Sequence, residues 1–143
     1  MVLIAPDASI PTIAPTEGNR QMNIATVDRS IPIAVLAPVG RMDALAAPHL
    51  RVRCDTLLSG GTHRIVIDLR DVEFLDSAGL AAMVGAMKRA RANGGDVKLV
   101  MSDRTSVSRI LELTSFDRVF DLMTDVDDAV DSFAGPRGQR ARR

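Results

Sequence analysis

A chain of 143 residues with 46% hydrophobic content is long enough for one buried core and too short for two comfortable domains. Aromatic residues make up 3%, with neither Trp nor Tyr, which excludes base-stacking platforms for single-stranded nucleic acid and leaves Leu, Ile, Val, Met and Ala to fill the interior. The formal charge of zero conceals an asymmetry: residues 136–143, PRGQRARR, hold four Arg and no acid, whereas residues 21–135 hold 13 basic and 16 acidic side chains, a balance that argues against direct nucleic-acid binding by the body.

Residues 1–20 place Pro6, Pro11 and Pro15 among Ala, Ser, Thr and Ile without a helical period, and they read as a flexible leader. MVLIA lacks a basic n-region and the apolar run is ended by Pro6 and Asp7, so no signal peptide is expected. No run approaches the roughly 18 apolar residues of a membrane span. A soluble, cytoplasmic protein with no membrane contact is expected.

MNIATVD (22–28) and IPIAVLAPVG (31–40) predict two strands joined as a hairpin by a tight Arg29-Ser30 turn, with Pro32 and Pro38 confined to positions that need no N–H donor. Pro48 is placed to open a helix on which Leu50, Cys54, Leu57 and Leu58 repeat until Gly60-Gly61 stops it. The single Cys54 cannot form an internal disulfide, and its place on this stripe predicts a small core residue from a reducing compartment. HRIVIDL (63–69) is a short β-branched run, as expected of a strand covered on both faces. DVEFLD then leads into a second helix, where Leu80, Met83, Val84 and Met87 form the buried stripe and Asn93-Gly94-Gly95 ends it.

DVKLVM (96–101) predicts the next strand, and Thr105 or Ser106 can cap a third helix whose Val107, Ile110, Leu111 and Leu113 face inward. RVFDLM (118–123) gives a last strand, and a final helix over roughly 125–134 presents Val126, Ala129, Val130 and Phe133 on one face. The order β-β-α-β-α-β-α-β-α predicts an α/β domain with a mixed sheet of about five strands and about four flanking helices. Its expected bounds are 21–135, with the Arg-rich tail at 136–143.

Chemistry is sparse. There is no Cys and His cluster at ligand spacing and no phosphate-binding glycine loop, so no cofactor or metal is expected. The Asp125, Asp127, Asp128 series lacks the glycine and terminal Glu of a calcium loop and reads as acids favouring a helix N-terminus. FLDSAGL (74–80) holds the candidate of interest, Ser77, between a strand and a helix. The surrounding D-S-A-G is not the G-x-S-x-G elbow, and neither His49 nor His63 has a reason to meet the hydroxyl, so no catalytic nucleophile and no enzyme is predicted. Ser77 can instead cap the helix beginning near Ala78, although Asp76 could do the same. The residues that follow, Ala78, Gly79, Ala81 and Ala82, are small and would leave the hydroxyl approachable.

VIDLRDVEFLDSAGLAAMVGAMKRARANGG resembles the core of the STAS domain, named for sulphate transporters and anti-sigma factor antagonists, with its strand, its Asp-Ser-x-Gly-Leu turn and the following helix. GRMDALAAPHL is similar to the family's Gly-x-Leu-Asp…Ala-Pro-x-Leu segment, and ILELTSFDRVFDL extends the match, so the resemblance covers roughly residues 22–133. One departure is Ser115, where the family commonly has a Gly after the third helix; the local turn there is expected to differ or to be strained. The resemblance implies a stand-alone anti-sigma factor antagonist phosphorylated at Ser77 by a partner serine kinase that is also the anti-sigma factor. A phosphatase acting on Ser77 would be a further partner. Asp43 and Asp76 match the acids near the modified serine, and the implied partner surface comprises Asp43, Asp76, Ser77, Ala78, Gly79, Ala81 and Ala82. The rival is a scaffold or sensor subunit of a larger STAS assembly, without a phosphorylation cycle, in which Ser77 is only a cap.

Overall fold

The computed structural model describes residues 21–28, 31–103 and 105–134, so the leader, the Arg29-Ser30 turn and the Arg-rich tail lie outside the described residues. Gln21–Asp28 (β1) and Ile31–Ala37 (β2) pair antiparallel, as their sequence predicts, with a bulge between Thr26 and Asp28. The chain continues through Gly40–Met42 (β3), Ala47–Ser59 (α1), Arg64–Asp68 (β4), Val72–Leu75 (β5), Ser77–Ala92 (α2), Asp96–Val100 (β6), Ser106–Leu113 (α3), Asp121–Met123 (β7) and Val126–Ala134 (α4). The main sheet has five strands in the order β1-β2-β4-β6-β7. All neighbours beyond the hairpin run parallel, which gives the expected mixed sheet.

Helices cover both faces of this sheet. Ile65, Ile67, Val97 and Leu99 point into the larger core cluster with Leu50, Cys54 and Leu57 of α1, Met83, Ala86 and Met87 of α2, and Val107 and Leu111 of α3. Val66 and Val100 point the other way, with Ile33, onto Ala129 of α4, against which Val126, Val130 and Phe133 also pack. The β-branched run of β4 is therefore apolar on both sides because both sides are buried. Cys54 is 1% exposed, and burial pushes its thiol up to about 12, so it packs as a small apolar residue and is inert as a nucleophile. On the α4 side, Lys98 is almost wholly buried; its Nζ donates to Asp121 Oδ2 at 3.0 Å and lies 4.6 Å from the centre of the Phe133 ring.

Several local expectations are corrected, and two that the sequence left between alternatives, the cap of α3 and the turn at Ser115, are decided. The run 31–40 is not one strand: β2 ends at Ala37, and Gly40, with φ +89°, begins the separate β3. DVEFLD contains a strand of its own, β5, which pairs in parallel with β3 in a second, two-stranded sheet. The last strand starts at Asp121, because Phe116–Arg118 forms a turn of 3₁₀ helix. Ser115, at the position of the family's Gly, adopts the left-handed conformation at φ 64° that glycine would occupy without strain. Leu113 is 77% exposed and not inward-facing, and Val84 is only partly buried beside the core. Thr105, not Ser106, caps α3, accepting from the Ser108 amide while Ser108 Oγ accepts from the Thr105 amide.

Candidate functional site

The small second sheet builds the site. Met42 of β3 lies opposite Leu75 of β5, both buried, so the residues that follow them, Asp43 and Asp76, emerge side by side where the two parallel strands end. A backbone bond from Asp76 N to Met42 O, 3.4 Å, ties the ends together. Each strand then feeds a helix, and each Asp turns its carboxylate onto the amides of that turn.

Asp43 Oδ1 accepts from the amides of Leu45 and Ala46, both at 3.1 Å, and Asp43 Oδ2 accepts from Arg41 Nε, also at 3.1 Å. The Ala46 amide, followed by the Arg41 side chain, holds the Asp43 carboxyl below the ordinary aspartate value. Asp43 thus shapes the turn into α1, at whose start Pro48 occupies a position with no intrahelical N–H to lose. Asp76 is the N-cap of α2, with Oδ1 accepting from Ala78 N at 2.9 Å and Gly79 N at 3.1 Å.

That assignment decides between the two readings of the cap. Ser77 is the first helical residue, it is exposed, and among the described residues no hydrogen bond engages its hydroxyl. The capping role expected of Ser77 belongs to Asp76, because an extended residue just before the helix can fold its carboxylate back over the free amides, whereas a residue already in the helix points away from them. Gly79 shows why the turn is tight: a Cβ built there would lie 2.5 Å from Met42 O and 2.7 Å from both Leu75 Cδ1 and Met42 Cγ. Only a glycine lets the first turn of α2 press against β3.

The small residues after Ser77 divide between surface and core. Ala81 is exposed and Ala78 is half-buried, whereas Gly79 and Ala82, expected on the open approach, are buried. The helical period explains the division, since Gly79, Ala82, Met83 and Ala86 share the face turned to the core. The sequence reading missed the rim of the site: Leu45 is 83% exposed, Phe74 is 36% exposed, and the Arg41 guanidinium sits 4.1 Å from the centre of the Phe74 ring. Their signal was register: Arg41 pairs with Phe74 one step before Met42 pairs with Leu75. Among the described residues no group of three or more His, Cys, Asp or Glu side chains could hold a metal ion, and no helix is long and apolar enough to cross a membrane.

A mixed sheet with helices on both faces, and a glycine-tightened turn that leaves an uncommitted serine beside two amide-bound carboxylates, defines a binding domain whose exposed feature is the start of α2. The STAS domain family model matches residues 23–129, and the chain belongs to that family. The anti-sigma-F factor antagonist RsfB of Mycobacterium tuberculosis is 30% identical over 140 residues, which is 97% of this chain and 98% of that protein. The anti-sigma-B factor antagonist of Bacillus subtilis is 33% identical over 84 residues, 58% of this chain and 74% of its own length. A crystal structure of an anti-sigma factor antagonist from Mycobacterium paratuberculosis is similar with a TM-score of 0.65 and 26% identity, covering 93% of this chain and all of the other.

Proposed function

We propose that this protein is an anti-sigma factor antagonist that binds an anti-sigma factor serine kinase through the surface around Ser77, and that phosphorylation of Ser77 releases it. The names carried by its full-length and partial relatives support the antagonist role. The observation that carries the finer reading is the exposed Ser77 hydroxyl, left free of structural duty because Asp76 caps the helix. A side chain that the fold does not need is one that can be modified without unfolding it.

The electrostatics suit a switch. Transfer of the γ-phosphoryl group of ATP to Ser77 Oγ, with loss of the hydroxyl proton and release of ADP, adds about −1.5 to −2 charge near pH 7. The α2 N-terminus accommodates that charge. Asp43 and Asp76 oppose it, so the surface a partner meets changes sign density while the core stays as it was. The protein acts by binding and not as an enzyme, in the cytoplasm where sigma factors work, and a phosphatase acting on Ser77 would reset it. Binding of the unmodified form occupies the anti-sigma factor and frees the sigma factor for transcription.

The test is to incubate the protein with each candidate anti-sigma kinase of the source organism and ATP, then locate any phosphate by mass spectrometry of peptides. Phosphate on Ser77 is expected with the kinase that binds the unmodified chain. A kinase that binds but leaves Ser77 unmodified, or modifies another residue instead, favours the scaffold reading and overturns the switch.

A further inference from the structure

The charges around Ser77 are not only negative. Arg41 stands at the rim with 61% of its side chain exposed, stacked on Phe74 and using Nε alone to reach Asp43 Oδ2. Among the described residues, no acceptor is bonded to its two terminal nitrogens. The guanidinium is therefore held in place by a ring beneath it and a carboxylate beside it while its two-pronged donor edge is unused. That is the geometry that binds a phosphate through two parallel hydrogen bonds.

Its reach to position 77 follows from the register. Arg41 is paired with Phe74, and its guanidinium lies 4.1 Å from that ring. Ser77 follows Phe74 by three positions, a stretch of chain that spans at most about 10 Å even when extended, and Asp76 within it is tied back to β3 by the bond from Asp76 N to Met42 O. Arg41 and Ser77 therefore lie at the same end of the two-stranded sheet, where β5 runs into α2. Asp43 after β3, Asp76 before α2 and Glu73 on β5 are acids, while the neighbouring helices add His49 on α1 and Arg109 and Glu112 on α3, so Arg41 is the cation carried by the two-stranded sheet itself.

We infer that Arg41, stacked on Phe74, is the phosphate-holding residue of the modified state: a phosphoryl group on Ser77 takes the free edge of its guanidinium while Nε keeps its bond to Asp43 Oδ2. This rests on the reading of Ser77 as the phosphorylation site. Arg41 is then a positioning residue, one that orders the phosphate and sets how much of its charge the partner meets. Phe74 is the platform that keeps the cation from straying into solvent.

The experiment introduces phosphoserine at position 77 of the full chain during translation, so no kinase is needed, and follows the phosphate by phosphorus NMR as pH is varied. The second ionisation of a phosphoserine lies near pH 6, and a neighbouring cation lowers it. Arg41→Gln is expected to raise it by about 0.5 to 1 unit relative to the unsubstituted phosphoprotein, a difference that shrinks as salt is added. Arg41→Lys should keep part of the effect, as a point charge without the fork, and Phe74→Leu should fall between, because it removes the platform and leaves the cation. The acids are common to all four proteins and cancel in the comparison. A titration of Arg41→Gln that coincides with that of the unsubstituted phosphoprotein overturns the inference, as does Arg41→Lys behaving like Arg41→Gln. Failure of the Ser77 reading shows elsewhere, as a kinase that binds and leaves Ser77 unmodified.

Discussion

Gly79→Ala tests the packing that positions the site. The new methyl would lie 2.5 Å from the Met42 carbonyl oxygen and 2.7 Å from Leu75 Cδ1 and Met42 Cγ. Either side chain could turn aside, but the carbonyl belongs to β3, and that strand is fixed by its pairing with β5. Relief requires α2 and β3 to move apart, and overpacking of this kind costs about 1 to 3 kcal/mol. Alanine recovers up to about 1 kcal/mol of helix propensity in a helix interior, less in a first turn. The net expectation is a loss of about 1 to 2 kcal/mol, read as a lower urea midpoint at unchanged slope. For a domain of this size the melting temperature should fall by roughly 3 to 5 °C per kcal/mol. Equal or greater stability would refute the close approach of α2 to β3, and with it the account of how Asp43 and Asp76 are brought together.

Asp76→Ala should lose about 1 to 2 kcal/mol, as expected for a helix without its N-cap, while Ser77→Ala should stay within about 0.5 kcal/mol of the parent, as for an exposed residue. The reverse order in denaturant titrations would return the cap to Ser77. Met83, fully buried on the inner face of α2, should cost about 2 to 5 kcal/mol when changed to Ala, and a loss near zero would mean that α2 is rotated. Asp43 has a depressed folded pKa, so its stabilising effect is complete above its unfolded value and is lost as pH falls through the folded one. Melting curves of the parent and Asp43→Asn should therefore differ most above about pH 4 and converge below it. A difference that is the same at every pH would show that the Asp43 carboxylate is not held by its amide and arginine partners.

The main sheet and the helices were legible in the sequence because their periods are unambiguous. Two-sided burial writes HRIVIDL as an unbroken β-branched run, and the stripe from Leu80 to Met87 can only be the inner face of a helix. What escaped were the short pieces set by tertiary pairing. GRM and VEFL carry no alternation long enough to mark a strand, and they become strands because each completes the other's hydrogen bonds. The exposure of Leu113 was illegible for a related reason, since the turn at Ser115 ends the helix before its last residue meets the core.

At the candidate site, the motif was legible and the division of labour within it was not. Asp76 and Ser77 are both residues that cap helices, and sequence alone gave no ground for choosing. The backbone chooses, because Asp76 is extended and Ser77 already helical. Likewise Gly79 and Ala82 look open in a string of small residues, but smallness here lets helix and strand approach from within as much as it clears a surface. Arg41 and Phe74 are not legible as a pair because their contact crosses two short strands that the sequence pattern does not mark.

The central claim is that the charge state of Ser77, and not its structural contribution, governs partner binding. The most direct measurement is calorimetric titration of the anti-sigma kinase identified by the phosphorylation assay with the parent protein, Ser77→Ala and Ser77→Asp, at two salt concentrations. The alanine variant should bind like the parent. The aspartate variant should fold as well as either and bind more weakly, through crowding with Asp43 and Asp76, and its deficit should shrink at the higher salt. Equal affinity of the alanine and aspartate variants at both salt concentrations would contradict the account.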